Sequence, residues 1–131
     1  MRKVISTPHG PRPRGVYSQA IVSGGFVFVA GQASIDPLTN TLELGDIKAE
    51  TRRTLDNLQA ILLAAGSSLR EVVRIGVYLA DLNDFEAMNE VFRKYFPEDP
   101  PARTTIGANL PKIKIEIDCI ARLKKGRHSK S

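Results

Sequence analysis

The residues best suited to chemistry lie near the carboxyl end of the chain, in two segments that each have the pattern of a β-strand. Apolar and polar residues alternate over residues 113–122, so Glu116 and Asp118 are expected on one face and the isoleucines on the other. Arg103 lies in the preceding segment. A guanidinium fork can bind a planar carboxylate, and a nearby glutamate can orient or deprotonate a water. Together these groups suit the hydrolysis of a small organic acid.

The two segments are predicted to form a hairpin with its turn at residues 109–112. This register would place Arg103 opposite Asp118, because antiparallel partners keep a constant index sum. It would also place Thr105 opposite Glu116, so that all four side chains lie on the face away from the helices. On pattern alone, cross-strand ion pairs on a solvated face are the simpler interpretation. A register shift of one residue would remove the cluster altogether.

Two further candidates, Asn89 and Gly31, lie in other parts of the chain. Asn89 falls between Phe85 and Phe92 in an apolar helical stripe, where a buried amide must bond either nearby backbone or a ligand. Gly31 lies at the end of the strand that contains the segment Phe26–Val29. Its lack of a side chain lets a ligand approach the main chain, or simply permits a turn. Neither position distinguishes a functional from a structural role by itself.

Other kinds of site are disfavoured. His9 and His128 fall in the predicted flexible ends, and no cysteine or histidine pair has metal-ligand spacing. No histidine is well placed to activate a serine. No glycine-rich phosphate loop follows a strand and opens a helix, which argues against a nucleotide cofactor. We therefore expect neither a metal nor a cofactor.

A chain of 131 residues is long enough for one domain that buries a core without disulfides. Its single cysteine, Cys119, fits a reducing cytoplasm. The start lacks the apolar stretch of a signal peptide, and no run approaches the length that spans a bilayer. We therefore predict a cytoplasmic protein without a membrane segment. The expected domain covers residues 1–123, and a disordered basic tail covers residues 124–131.

The net charge of +5 is concentrated at the two ends of the chain. The basic residues at the ends are Arg2, Lys3, Arg12, Arg14, Lys124, Lys125, Arg127 and Lys130. These are eight of the 19 lysines and arginines, whereas all 14 acidic residues lie between residues 15 and 123. The body is therefore slightly acidic, which argues against a nucleic-acid surface. Basic flexible ends more often serve solubility.

Hydrophobic periodicity predicts the elements that must position these residues. In chain order they are strands over 20–22 and 26–29, a helix over 47–65 capped by Asp46, a strand over 72–80, a helix opened by a capping box at Asn83 and Glu86 and stopped by Pro97, and strands over 103–108 and 113–122. The order ββαβαββ indicates an α+β domain in which two helices cover one face of a mixed sheet. The other face then needs a partner.

Several short motifs follow one another along the chain, within the stretch from about Val4 to Ala121. They are Gly15-Val16-Tyr17-Ser18-Gln19-Ala20, Ala30-Gly31-Gln32, Asp81-Leu82-Asn83-Asp84-Phe85, Asn89, Pro101-Ala102-Arg103 and Ile115-Glu116-Ile117. Their order and spacing resemble the Rid family, also called YjgF and formerly catalogued as endoribonuclease L-PSP. The resemblance implies a fold similar to chorismate mutase, with a six-stranded mixed sheet backed by two helices. It also implies a barrel-like homotrimer with clefts between subunits.

The same resemblance implies an activity, the hydrolysis of enamines and imines. Such enzymes convert 2-aminoacrylate and related 2-imino acids to 2-oxo acids and ammonia without a metal or cofactor. Arg103 matches the arginine that grips the substrate carboxylate, and Glu116 matches the glutamate associated with the attacking water. Tyr17, Gly31 and Asn89 match further positions of the cleft.

The chain departs from the usual pattern of the family at three positions. Val16 replaces the usual proline, Ala30 replaces a frequent serine, and Thr105 stands where many members have cysteine. Ala30 and Thr105 are still expected to contact the substrate, so their departures bear on substrate preference or rate rather than on the type of reaction.

Two other functions stay open at this point. One is a single-strand-specific endoribonuclease or translation inhibitor, the older description of such proteins. The other is a non-enzymatic trimer that holds small carboxylates in its clefts. The charge distribution and the absence of a histidine pair placed for RNA cleavage argue against the first. A turnover assay separates all three.

Overall fold

The computed structural model describes residues 2–124 and has two layers, a six-stranded mixed sheet and two helices on one of its faces. The elements are β1 (Lys3–Ile5), β2 (Ala20–Ser23), β3 (Phe26–Gln32), β4 (Ile35–Asp36), β5 (Thr41–Leu42), α1 (Ile47–Ala64), β6 (Val72–Leu79), α2 (Phe85–Tyr95), β7 (Ala102–Gly107) and β8 (Ile115–Arg122). The sheet order is β1-β2-β3-β8-β6-β7, and β4 pairs with β5 separately. The predicted α+β class, with a mixed six-stranded sheet and two helices, is confirmed.

The first helix follows from its sequence signals. An Oδ1 atom of Asp46 accepts a hydrogen bond from the Ala49 N–H at 2.8 Å, which satisfies one of the free donors at the start of α1. Leu55, Leu58 and Leu62 recur at helical spacing and are fully buried, along with Ile61 and other residues of that face. Gly66 follows the helix with a φ of 88°, a conformation that glycine adopts without strain. The predicted helix and its cap are confirmed.

The second helix begins differently from the prediction. Residues Leu82–Asp84 form a single 3₁₀ turn, and α2 starts only at Phe85. The turn is capped by Asp81, whose Oδ1 accepts a hydrogen bond from the Asn83 N–H at 2.9 Å. The predicted capping box opened by Asn83 is therefore wrong, because the aspartate two residues earlier already caps the turn in which Asn83 lies.

The predicted hairpin between the last two strands is also wrong. Among the described strands, β7 pairs only with β6, in parallel, while β8 lies between β3 and β6 and is antiparallel to both. Parallel neighbours need a crossover, and α2 supplies it between β6 and β7. The chain then passes the end of β6. There the Ala108 N–H donates to the Leu79 carbonyl at 2.9 Å, and the Ala80 N–H donates to the Lys114 carbonyl at 3.0 Å.

The core lies between the sheet and the helices. Alternation along β8 is as predicted, since Ile115, Ile117, Cys119 and Ala121 are buried beneath the helices. The opposite side, which we call the outer face, carries Phe28, Tyr78, Ile106, Glu116, Asp118 and their register partners. Phe28 and Ile106 remain 43% and 48% exposed there. Within residues 2–124 only one of the two faces has a covering layer.

The predicted basic tail lies outside the described residues except for Lys124. The Lys124 N–H donates to the Gly66 carbonyl at 3.0 Å, which ties the end of the described chain to the end of α1. Neither of the described helices is long and apolar enough to cross a bilayer.

Candidate functional site

Arg103 and Glu116 lie on opposite faces of the sheet. Arg103 is the register partner of Ile75, which is fully buried beneath the helices, and partners on neighbouring strands share a face. Glu116 is the register partner of Tyr78 on the outer face, and Asp118 lies on the same face. The predicted cluster of Arg103 with these two carboxylates on one face is therefore wrong. It assumed that β7 and β8 are neighbours, whereas β6 separates them.

Arg103 faces the first of two pockets, which we call the arginine pocket. It lies between α2 and β7 and is lined by Ile75, Asn89, Phe92, Arg93, Phe96, Pro100, Pro101 and Arg103. The Arg103 Cζ atom lies 5.5 Å from the centroid of the Phe85 ring and 5.1 Å from that of Phe92, within the range of a cation–π contact. One guanidinium nitrogen also lies 3.7 Å from the Met88 sulfur. The aromatic rings thus fix the position of the cation.

The Arg103 guanidinium has no acidic partner in the part of the chain that the structure describes. None of the ion pairs among residues 2–124 includes it. Burial lowers its pKa, because the cation is partly removed from water without a compensating charge. The pattern-based interpretation of Arg103 as one half of a cross-strand ion pair is therefore wrong. A half-buried fork of this kind can bind a carboxylate from outside the chain.

Asn89 and Thr105 lie on the same side of the sheet as Arg103. Asn89 is half-buried on α2 and lines the arginine pocket. Thr105 follows Arg103 by two residues along β7 and so points the same way. Its Oγ1 is buried, and no group within residues 2–124 bonds to it. Buried hydroxyls are nearly always hydrogen-bonded, so this atom is an exception among the described residues.

The second pocket, which we call the glutamate pocket, forms around a bulge in β3. Val29 pairs with Cys119 but Gln32 pairs with Ile117, so β3 has one extra residue at Ala30–Gly31. The pocket has a volume of about 400 Å³ and is lined by Pro11, Arg12, Arg14, Tyr17, Ala30, Gly31, Gln32, Ala33, Ile35, Leu42, Ile113 and Glu116. The structure thus brings Tyr17, Ala30, Gly31 and Glu116 together, apart from Arg103, Thr105 and Asn89.

Gly31 leaves room for the Glu116 side chain. A Cβ atom at Gly31 would collide with the Glu116 carboxylate and lie 3.0 Å from its Cδ atom. The Glu116 side chain therefore lies across the bare main chain of the bulge. Sequence reasoning assigned Gly31 to ligand approach or to a turn, and it did not identify this contact, which depends on the pairing of β3 with β8.

The Glu116 carboxyl is half-buried on the outer face. Burial raises its pKa, and the nearby charge of Asp118 raises it further. Asp118 accepts a hydrogen bond from the Tyr78 hydroxyl at 2.9 Å, and this bond is the main reason that the pKa of Tyr78 is raised. A carboxyl with a raised pKa is a better proton acceptor when ionised, which suits activation of a water.

Tyr17 is presented to the glutamate pocket by the loop that precedes β2. Its hydroxyl oxygen accepts a hydrogen bond from the Arg14 N–H at 2.9 Å, which leaves the hydroxyl proton available for donation. Buried Gln19 fixes the loop, because its Oε1 accepts from the Thr7 N–H at 2.7 Å and its Nε2 donates to the Pro11 carbonyl at 2.8 Å. Sequence reasoning quoted Gln19 as part of a motif and missed this role.

Arg12 and Arg14 also line the glutamate pocket, although their positions suggested a flexible basic end. The Arg12 N–H donates to the Asn40 side-chain oxygen at 2.9 Å, and the Arg14 guanidinium donates to the Asn40 carbonyl at 3.0 Å. The loop is therefore held against the β4–β5 hairpin. Their closeness in sequence to Tyr17 was the one signal that could have placed these arginines near the site.

Other reactive groups contribute little. Burial raises the pKa of the Cys119 thiol to about 12, so it stays protonated at neutral pH and is a poor nucleophile. In the described part of the chain, no three His, Cys, Asp or Glu side chains are grouped as a metal site. The useful chemistry is divided. The arginine pocket offers a cation and the Asn89 amide, and the glutamate pocket offers a base and a phenol donor.

Comparison with known proteins finds similarity over nearly the whole chain. The family model described as Endoribonuclease L-PSP matches residues 7–123. A RutC family protein from Pyrococcus horikoshii is 52% identical, over 92% of this chain and 98% of that protein. A 2-iminobutanoate/2-iminopropanoate deaminase from Dermatophagoides farinae is 37% identical, over 91% and 94%. The crystal structure of E. coli TdcF with bound serine is similar with a TM-score of 0.87 and 34% identity, over 93% and 99%.

Proposed function

The chain belongs to the endoribonuclease L-PSP family, which is the Rid family that its motifs resemble, and from this premise we propose that it hydrolyses 2-imino acids to 2-oxo acids and ammonia. The observation that carries the proposal is the half-buried Arg103 guanidinium, which has no acidic partner within residues 2–124. Two relatives support it by name. One is called an imine deaminase, and the other holds serine, a small molecule with a carboxylate.

The two pockets can act together only if they come from different copies of the chain. Within one chain Arg103 lies on the helix side of the sheet and Glu116 on the outer face. A contact between two different surfaces of identical subunits closes into a ring when the rotation allows it. We therefore propose a homotrimer whose outer faces meet, with exposed Phe28 and Ile106 at the interface. Each cleft would combine the arginine pocket of one subunit with the glutamate pocket of the next.

In this cleft the substrate carboxylate would bind the Arg103 fork through paired charge-assisted hydrogen bonds. The Thr105 hydroxyl and the Asn89 amide would complete the polar wall around it. The partner subunit would supply the ionised Glu116 carboxylate, which takes a proton from water as the oxygen attacks the imine carbon. Positioning of the reactants and stabilisation of the developing charge would supply most of the catalysis.

The attack converts the C=N bond to a carbon that bears a hydroxyl and an amine. Proton transfer to that nitrogen and loss of the hydroxyl proton then release ammonia and leave the C=O bond of the 2-oxo acid. The Tyr17 hydroxyl accepts from the Arg14 N–H and retains a proton to donate to the reacting group. Every group in this scheme belongs to the chain or its copies, to the substrate or to water. The cytoplasmic location stays a prediction from the sequence.

The test is a coupled assay in which a pyridoxal-phosphate-dependent dehydratase releases 2-aminoacrylate in the presence of the purified protein. We expect faster formation of pyruvate than in the buffer control. Arg52→Ala, which removes an exposed arginine of α1, should behave as the unaltered protein does. No acceleration by the unaltered protein at micromolar concentration would reject the deaminase function.

The family description also names a ribonuclease, so the same preparation should be incubated with single-stranded RNA. Arg12 and Arg14 share their pocket with the acidic side chain of Glu116, and an acidic group disfavours the binding of a phosphate backbone there. Cleavage of RNA without imine hydrolysis would favour the ribonuclease. Binding of 2-oxo acids without either reaction would favour a trimer that only holds small carboxylates.

A further inference from the structure

We propose that the glutamate pocket selects 2-imino acids whose side chain carries a second carboxylate, and that Arg12 and Arg14 bind this second carboxylate. The inference rests on the deaminase function proposed above and adds the class of substrate. A substrate of this kind has one carboxylate for Arg103 and another, two or three carbons away, for the arginine pair.

The first support is the charge of the pocket wall. Glu116 is the one acidic residue among the side chains that line the glutamate pocket, and Arg12 and Arg14 are two cations. No ion pair among residues 2–124 includes either arginine. The Arg14 guanidinium donates to the Asn40 carbonyl, which occupies one of its donors and leaves its charge uncompensated. The pocket therefore has an excess positive charge that Glu116 does not balance.

The second support is that the loop is fixed. Gln19 bonds the main chain at Thr7 and Pro11 from within the core, and Asn40 bonds the main chain of Arg12. Arginines on a flexible end lose entropy when they bind a ligand, whereas arginines on an anchored loop have already lost much of it. The main chain that carries both arginines is thus anchored beside the pocket that holds the base Glu116, and the Arg14 guanidinium is itself bonded to Asn40.

The third support is that a substrate with one carboxylate would leave the guanidinium groups of Arg12 and Arg14 without an anionic partner. The proposed scheme needs one cation, Arg103, for the carboxylate next to the imine carbon. A substrate with a short apolar side chain would place that side chain in a pocket with two unpaired guanidinium groups. A carboxylate there would accept paired, charge-assisted hydrogen bonds, for which the arginine fork is suited.

The experiment compares two 2-imino acids, generated in place by amino-acid oxidases from glutamate and from 2-aminobutanoate. The quantity measured is the ratio of kcat/KM for the dicarboxylate to kcat/KM for the monocarboxylate. We expect the ratio to exceed one for the unaltered protein. Arg12→Glu and Arg12→Ala should each lower it about tenfold or more, as loss of a charge-assisted contact predicts. Arg52→Ala is the matched control and should leave the ratio unchanged.

Calorimetry with stable products gives a second readout that does not depend on turnover. The dicarboxylate 2-oxoglutarate should bind more tightly than 2-oxobutanoate, and Arg12→Ala should remove this difference. Arg12 is preferred to Arg14 for the test because its described hydrogen bond comes from the main chain, so the substitution keeps the loop anchor.

The outcomes separate the two proposals. If the protein hydrolyses neither imino acid, the deaminase function fails and this inference fails with it. If it hydrolyses both and Arg12→Glu keeps the ratio of the unaltered protein, the deaminase function stands and the arginine pair has no role in selection. A preference for the dicarboxylate that Arg12→Glu abolishes supports the inference.

Discussion

At the scale of single residues, the Arg103 guanidinium is positioned by aromatic rings rather than by an acidic side chain within residues 2–124. The rings of Phe85 and Phe92 lie about the guanidinium, and burial lowers its pKa without neutralising it at ordinary pH. The cost of partly desolvating this cation is recovered when a carboxylate arrives. Binding of the substrate anion and the position of the arginine are therefore linked.

The first prediction concerns this residue. Arg103→Ala should abolish measurable binding of 2-oxobutanoate, because losing a charged contact in a partly dry cleft costs about 2 kcal/mol or more. Arg103→Lys should recover little, since an ammonium cannot reproduce the planar fork. Calorimetry on both variants tests the idea. Affinity of Arg103→Ala equal to that of the unaltered protein would reject the carboxylate clamp.

The second prediction concerns Glu116 and its neighbour. Because the pKa of Glu116 is raised, its ionised form is lost at a higher pH than for an ordinary glutamate as the solution is acidified. As the pH is lowered, activity should therefore begin to fall at a pH above the usual pKa range of a glutamate side chain. Asp118→Asn removes one of the causes and should move this limb to lower pH, while the new amide can still accept from Tyr78. The measurement is kcat/KM as a function of pH.

A limb that moves to higher pH in Asp118→Asn would contradict the assignment of Glu116 as the base. Glu116→Gln is the companion variant, and it should keep affinity for 2-oxobutanoate while slowing deamination. Unimpaired turnover by Glu116→Gln would remove this residue from the chemistry.

At the scale of elements, the bulge in β3 provides the space that the Glu116 side chain of β8 occupies. The third prediction is that Gly31→Ala slows turnover more than tenfold, roughly the loss expected when a general base is displaced. The new methyl would occupy the space of the Glu116 carboxylate. Gly107→Ala is the matched control, because its Cβ would meet Leu82 at an ordinary 3.4 Å. Equal activity of the two variants would mean that Glu116 need not lie across the bulge.

A buried carboxylate joins α1 to the start of β8. Glu50 is fully buried, and its two oxygens accept from the Lys114 N–H at 2.8 Å and the Gly45 N–H at 3.2 Å. The fourth prediction is that Glu50→Gln lowers the free energy of unfolding by about 1–3 kcal/mol, since an amide leaves one backbone donor unsatisfied. Denaturant unfolding measures it.

The control for Glu50→Gln is Glu90→Gln, which changes an exposed side chain whose partner is Lys48 at 2.7 Å. Exposed ion pairs contribute little, so this variant should unfold close to the unaltered protein. If Glu50→Gln were equally stable, the backbone donor that faces the new amide nitrogen would have to find another acceptor.

The elements also show what could be predicted from the sequence. Helix α1 was predicted because its cap, apolar stripe and terminal glycine are local signals within about 20 residues. Alternation along β8 correctly gave the two faces of that strand. It does not specify which strands lie beside it, so the neighbour of β7 and the faces shared by Arg103 and Glu116 were predicted wrongly.

Pattern and residue chemistry singled out Arg103, Glu116, Asn89 and Gly31, and motif resemblance added Tyr17 and Ala30. Neither predicted that these residues are divided between two pockets. That division depends on pairing between residues far apart in sequence, such as Arg103 with Ile75 and Ile75 with Cys119. Arg12 and Arg14 were missed because nothing in a basic segment of this kind shows that Gln19 and Asn40 anchor it.

At the scale of the whole molecule, the fifth prediction is that two variants of low activity restore activity when mixed. Each proposed cleft takes Arg103 from one subunit and Glu116 from its neighbour. Unfolding and refolding Arg103→Ala together with Glu116→Gln should form mixed trimers. Random assortment would leave about one quarter of all clefts intact when the unmixed trimers are counted as well. Light scattering should show trimers throughout, and the coupled assay should show recovery near that fraction.

The control is each variant refolded alone, which should keep its own low activity. No recovery in mixed samples that light scattering shows to be trimeric would mean that both residues act within one subunit. A monomer at micromolar concentration would reject the shared cleft directly.

The placement of the two pockets on opposite faces of one sheet has a consequence for inheritance. In the proposed trimer every subunit takes part in two clefts. A polypeptide that lacks both Arg103 and Glu116 therefore inactivates two of the three clefts whenever it assembles with two intact copies. Such an allele would act dominantly in a cell that also makes the normal chain. An allele that prevents folding would be recessive, because its product never enters the ring.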